Sequence, residues 1–88
     1  MSQKASKTGM MSTELGKQIA KAMIDADIST NKELAQLTGI SQQSIGRIIN
    51  GTKATSADEY MDIAHALGLT FIELIARAEQ SIERREKL

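Results

Sequence analysis

The stretch Ser41-Gln42-Gln43-Ser44-Ile45-Gly46-Arg47-Ile48-Ile49-Asn50 is where residue types and spacing could do specific chemistry. If it is helical, Ile45, Ile48 and Ile49 share one apolar side, and positions 42, 43, 44, 46 and 47 turn outward. Those outward residues are Gln, Gln, Ser, Gly and Arg. A Gln amide donates and accepts at once, which suits an adenine edge, and a guanidinium forks onto guanine. Gly46 lets the helix lie close to its neighbour. Taken singly, Gln42, Gln43 and Ser44 are ordinary solvated helix residues; the pattern around them makes them a candidate reading face for the major groove.

The elements that must position this face are legible in the same way. Leu15, Ile19, Ala22, Met23 and Ala26 recur at helical spacing from Ser12 to about Ala26, and Asp25 to Ser29 interrupts them. Thr30-Asn31-Lys32-Glu33 reads as a capping box that opens a short helix, which Gly39 ends. Ser41 is then a new N-cap, and Asn50-Gly51 closes the helix it starts. Two short helices joined by a tight turn containing glycine form a helix-turn-helix. In it Leu34, Leu37, Ile40, Ile45 and Ile48 are expected to reach one core, with small Ala35 allowing the helices to cross closely.

Beyond a polar loop, Thr52 to Thr55, a second capping box, Ser56-Ala57-Asp58-Glu59, opens a helix with Tyr60, Ile63, Ala64 and Leu67 inward, stopped by Gly68. The third box, Thr70-Phe71-Ile72-Glu73, opens a last helix carrying Leu74, Ile75, Ala78 and Ile82. The chain has no proline and no strand-like alternation, so the expected fold is all-α, a compact five-helix bundle. Its expected organisation is a disordered tail over 1–11, a DNA-binding domain over 12–76, and an extension of the last helix over 77–88.

Composition narrows the alternatives. An 88-residue chain is one domain with a small core, and the absence of Cys excludes disulfides and thiolate metal sites. No apolar run approaches the roughly 20 residues a membrane span needs, and Met1 to Gly9 lacks the apolar region of a signal peptide. The expectation is a soluble cytoplasmic protein without a membrane partner. Net charge is zero, but its distribution is uneven: residues 1–57 carry seven basic and four acidic residues, whereas 58–88 carry four and seven. Leu34 to Ala57 contains no acid and includes Arg47 and Lys53, so a surface built from it can approach phosphates without like-charge repulsion.

Enzyme chemistry finds no footing. His65, the single histidine, has no companion at metal-ligand spacing and no convincing nucleophile, and is expected as a partly buried helix residue. No catalytic residue, metal ligand or cofactor is therefore assigned. Tyr60 and Phe71 are the aromatics and fall at core positions, which argues against a stacking platform for RNA or single strands.

The sequence resembles the lambda repressor and Cro (XRE) family of helix-turn-helix proteins, over roughly Leu15 to Ile75. The resemblance is carried by Ser41-Gln42-Gln43-Ser44-Ile45, similar to the start of the recognition helix in certain lambdoid phage repressors, by Asn50-Gly51 and its polar loop, by Ala66-Leu67-Gly68-Leu69, and by Phe71-Ile72-Glu73-Leu74-Ile75. It implies that Gln42, Gln43 and Arg47 touch bases and that Ser44 reaches a base edge or a phosphate. It also implies phosphate contacts from Asn31, which would buttress Gln42, and from Asn50, Gly51, Thr52 and Lys53. Departures from the family are informative. Ile49 stands where an acid often pairs with an Arg of the first helix, and Met23 or Ile24 is expected to replace that pair by an apolar contact. Arg47 replaces a Gln, implying a different base preference, and the link around Asp27 to Thr30 is one residue longer.

These readings lead to a sequence-specific regulator, a repressor, that binds a near-palindromic duplex as a homodimer. A single short helix touches few phosphates, and two subunits would address half-sites about one helical turn apart. The last helix beyond residue 76, with Ile82 and Leu88 among charges, is a candidate dimerisation element; Lys4 and Lys7 could form an arm along the DNA. The alternative is a protein-interaction module, such as an antitoxin-type or anti-repressor protein, whose partner is another protein.

Overall fold

A computed structural model describes residues 2–86, with side chains over 9–86; the Lys4 and Lys7 arm and Lys87 and Leu88 lie outside the described side chains. The helices are α1 (Ser2–Asp25), α2 (Asn31–Thr38), α3 (Gln42–Ile49), α4 (Ala57–Ala66) and α5 (Phe71–Glu86), and no strand occurs among the described residues. The all-α five-helix architecture expected from the sequence is the one observed. α1 begins at Ser2, ahead of the Ser12 suggested by apolar spacing, and Met11 already packs on the core.

Local chemistry explains each boundary. Ser41, Ser56 and Thr70 accept from the backbone amides of Ser44, Glu59 and Glu73 at 3.1, 3.1 and 3.0 Å. Glu59 and Glu73 answer at the amides of Ser56 and Thr70, so both capping boxes are complete. The box at Thr30 is shifted. Thr30 accepts from the Glu33 amide at 3.1 Å, but the Glu33 carboxylate takes the amide and hydroxyl of Ser29, one residue earlier than expected.

At the other ends, α3 and α4 close with paired bonds from the two residues past the cap. Gly51 and Thr52 donate to Ile48 and Arg47, and Gly68 and Leu69 donate to His65 and Ala64. The end of α1 closes in the same way through Asp27 and Ile28, with Asp27 at φ 61°, where glycine is usual.

The core is Leu15, Ile19, Ala22 and Met23 from α1, Leu34 from α2, Ile45 and Ile48 from α3, and Tyr60, Ile63, Ala64, Leu67, Leu74 and Ala78 from the last two helices. Tyr60 and Phe71 stack with centroids 6.4 Å apart. Three expectations fail. Leu37 is 62% exposed, because the inward side of α2 is centred on Leu34, Ala35 and Thr38 and position 37 lies about 100° away at 3.6 residues per turn. Ala26 is exposed past the end of α1, and His65 is exposed on the outer side of α4. Ile40 does pack on the core, and the Thr38 hydroxyl seals the turn by donating to Leu34 and accepting from the Ile40 amide.

Candidate nucleic-acid interface

α3 is held by two fully buried side chains, Ile45 and Ile48, which fix its rotation about its own axis. Gln42, Gln43, Arg47 and Asn50 are consequently exposed, and Ser44 and Gly46 half-buried. Positions 42, 43, 46 and 47 fall within about 140° of one another around the axis. Ser41 takes the Ser44 amide, so the Gln42 and Gln43 amides are left at the positive end of the helix. Arg47 takes part in neither of the two ion pairs among the described residues. Its guanidinium is available to an external acceptor.

Asn31, the first residue of α2, is half-buried, and its side-chain amide lies over Gly46: a methyl at position 46 would meet Nδ2 at 3.6 Å. The structure thus brings Asn31 to the recognition helix at Gly46, one turn beyond Gln42. A contact of that length is ordinary, so Gly46→Ala should raise folding stability by about 0.5–1 kcal/mol through the usual helix-interior gain over glycine. Urea unfolding checks this. If the outward side of α3 meets DNA, the same methyl should weaken duplex binding.

The residues expected to hold phosphate are partly committed elsewhere. The Gly51 and Thr52 amides close α3, and the Thr52 hydroxyl donates to the Arg47 carbonyl at 3.3 Å, so these N–H groups are not free donors. Lys53 is bonded to Glu59 at 3.3 Å and to the Ala54 carbonyl at 3.2 Å. The sequence shows Glu59 as a capping residue, and only the folded loop shows that it also neutralises Lys53. The Ser56 amide and the Lys53 ammonium together hold the Glu59 carboxyl below its ordinary range. Asn50 is exposed beside this loop.

The seat of α3 is α1. A Cβ on Gly16 would lie 2.1 Å from the Ile49 carbonyl oxygen, and one on Gly51 2.9 Å from the Thr13 Cα. Backbone therefore meets backbone at the C-terminal end of the recognition helix. Of the two residues expected to meet the Ile49 side chain, Ile24 is 78% exposed and does not serve, whereas Met23 belongs to the buried core on which Ile49 packs.

Between these contacts Glu14 is 1% exposed, bonded to Gln18 at 2.9 Å and to Arg85 of α5 at 2.6 Å. Nothing local to either residue announces that pair, whose members are 71 residues apart. Burial by itself would push the Glu14 carboxyl up; hydrogen bonds from Gln18 and Ser81 and the charges of Arg85 and Lys17 outweigh it and hold it below the ordinary 4.5. A carboxyl lowered in the folded state contributes stability that is complete above its unfolded pKa and is lost as pH falls through the folded one. Stability should therefore decline below about pH 4.5, and Glu14→Gln should make that decline shallower while costing stability near neutrality. Urea titrations at a series of pH values provide the comparison.

With this geometry in place, the match to known proteins is decisive. A helix-turn-helix family model matches residues 19–74, from within α1 to the first turn of α5. The chain belongs to the helix-turn-helix family, in its lambda repressor and Cro (XRE) type. It is a DNA-binding transcription regulator of that type. No curated protein and no solved structure matches it. The helix-turn-helix itself is α2 and α3, with Gly39 at φ 78° in the turn. No helix of the described residues is long and apolar enough to cross a membrane.

Proposed function

We propose that this helix-turn-helix protein is a sequence-specific repressor that binds a near-palindromic operator as a homodimer. α3 enters the major groove, with Gln42, Gln43, Ser44 and Arg47 reading bases and Asn31, Asn50 and the Gly51–Lys53 loop on the flanking phosphates. The observation that carries this reading is the outward face of α3, which is polar, free of acids and furnished with an unpaired Arg47. Occupying the groove excludes other proteins from it, which represses where the operator overlaps a promoter. The twofold pairing rests on energetics: one short helix with few cations neutralises too few phosphates for tight binding. Ile72, 79% exposed in the first turn of α5, is apolar surface available to a twin, whereas the inward side of the 77–86 extension is occupied by its own chain through Ala78 and Arg85.

Selection from a random duplex library tests the reading. Enrichment of a near-palindrome bound far more tightly than scrambled duplex supports it; recovery of no preferred sequence overturns it. Lys53→Ala should weaken selected and scrambled duplexes alike, and should lower the salt slope by less than about one unit, because the ammonium must first leave Glu59. Anisotropy at several salt concentrations measures that slope.

A second reading, a protein-binding module of antitoxin or anti-repressor type, is favoured by a different feature. Ile24 stands exposed beside an open groove of about 440 Å³ between the end of α1 and the start of α2. Co-purification from the native host distinguishes a bound foreign protein from a bound operator.

A further inference from the structure

The segment Thr13–Gln18 of α1 is gripped from two sides. On one side Gly16 lies against the Ile49 carbonyl and Thr13 against Gly51, the glycine whose φ of 73° closes α3. On the other side Glu14, held by Gln18, receives the Arg85 guanidinium from α5. We infer that Arg85, acting through Glu14, is a positioning residue for the DNA interface: it presses α1 onto the last turn of α3 and fixes the Asn50–Lys53 loop relative to Arg47.

The mechanics follow from what each contact can tolerate. A carboxylate 1% exposed cannot trade its partners for water unless α1 moves away from α5. Gly51 and Thr13 approach too closely to admit even a Cβ, which would lie 2.9 Å from the Thr13 Cα, so no side chain between them can absorb such a shift and movement of Thr13 and Gly16 reaches Gly51 and Ile49 directly. The bonds most exposed to that movement are those from the Gly51 and Thr52 amides to Ile48 and Arg47. α2 packs mainly on α3 and α4, so it is one step further from the moving part of α1 than the last turn of α3. The Arg85 side chain is itself 46% exposed, so it can be altered without opening a cavity in the core. The C-terminal part of α5 thereby acquires a task inside its own subunit.

The inference rests on the DNA-binding reading for its consequence but not for its mechanics, and one set of variants separates the two. Amide hydrogen exchange of the full chain is compared among wild type, Arg85→Met, Arg85→Lys and Glu14→Gln. Arg85→Met should accelerate exchange at Gly51 and Thr52 about tenfold more than at Gly39, whose amide is bonded to Ala35 in α2, and Arg85→Lys should restore part of the protection. Acceleration by one common factor at all of these amides would mean a purely global loss of stability and would overturn the inference, as would no change at any of them. Glu14→Gln, nearly isosteric, should reproduce the local pattern should Arg85→Met prove too unstable to measure. On the selected duplex, at a temperature where all variants are folded, Arg85→Met should weaken selected and scrambled sequences by a similar factor, because phosphate contacts are displaced. Unchanged affinity would remove the link to DNA. Absence of duplex binding by the wild type would instead sink the function proposed above, while the exchange pattern alone would still decide whether the clamp exists.

Discussion

Gly16→Ala is expected to cost about 3 kcal/mol or more of folding stability, the largest effect of any single methyl in the molecule. The added Cβ would overlap the Ile49 carbonyl oxygen at 2.1 Å and approach the Ile48 oxygen at 2.9 Å. Neither obstacle is the end of a flexible side chain. To make room, α1 would have to leave α3, and it is held from behind by the Glu14–Arg85 pair and by Leu15, Ile19 and Ala22 in the core. The stability of a domain of this length is on the order of 5–10 kcal/mol, so the variant should be folded only marginally at ambient temperature. The same substitution elsewhere supplies the controls. Gly9 on the same helix has nothing within 4 Å, and Gly46 meets only Asn31 at ordinary distance. Alanine should be neutral or stabilising at those two positions and severe at Gly16, measured by urea unfolding. Three similar midpoints would mean that the packing of α1 on α3 has been misjudged.

The second large effect concerns recognition. Gln43→Ala should reduce affinity for the selected duplex by about 5- to 150-fold, the 1–3 kcal/mol of one good bidentate base contact, while barely altering binding to scrambled DNA. The side chain is exposed in the first turn of α3, and no hydrogen bond to another described residue occupies its amide. Truncating it leaves Ser41, Ile45 and Ile48 in place, so the helix keeps its cap and its rotation. The loss should therefore report on the base edge and not on folding. Equal losses on both duplexes would make Gln43 a general contact and shift the burden of discrimination to Gln42 and Arg47.

How much of this was legible in the sequence depended on the range of the interaction. Caps and stops act over three to five residues, so Ser41, Ser56, Thr70, Gly39, Gly51 and Gly68 mark the helix ends in the order of residues alone. The outward set on α3 was legible for the same reason, since Ile45 and Ile48 fix it locally. Leu37 misled because an eight-residue helix offers too few apolar positions to define where its inward side is centred. Lys53 misled because its partner lies across a loop, in a residue whose capping role was visible but whose second acceptor role was not. Glu14 and Gly16 were out of reach: a buried carboxylate and a helix glycine acquire meaning only from α5 and α3, and nothing within α1 announces either.

The central claim is that the outward face of α3 meets duplex DNA, and amide chemical-shift mapping by NMR tests it most directly. Titrating the selected duplex should move the backbone and side-chain amides of Gln42 and Gln43 and the backbone amides of Ser44, Arg47 and Asn50 to Lys53, with His65 and Ala66 at the far end of α4 unmoved. A scrambled duplex should shift the loop amides weakly and leave the Gln side-chain amides in place. Shifts centred instead on Ile24, Ile28 and Ser29, or none on α3 at saturating duplex, would contradict the account and turn attention to the groove beside α1.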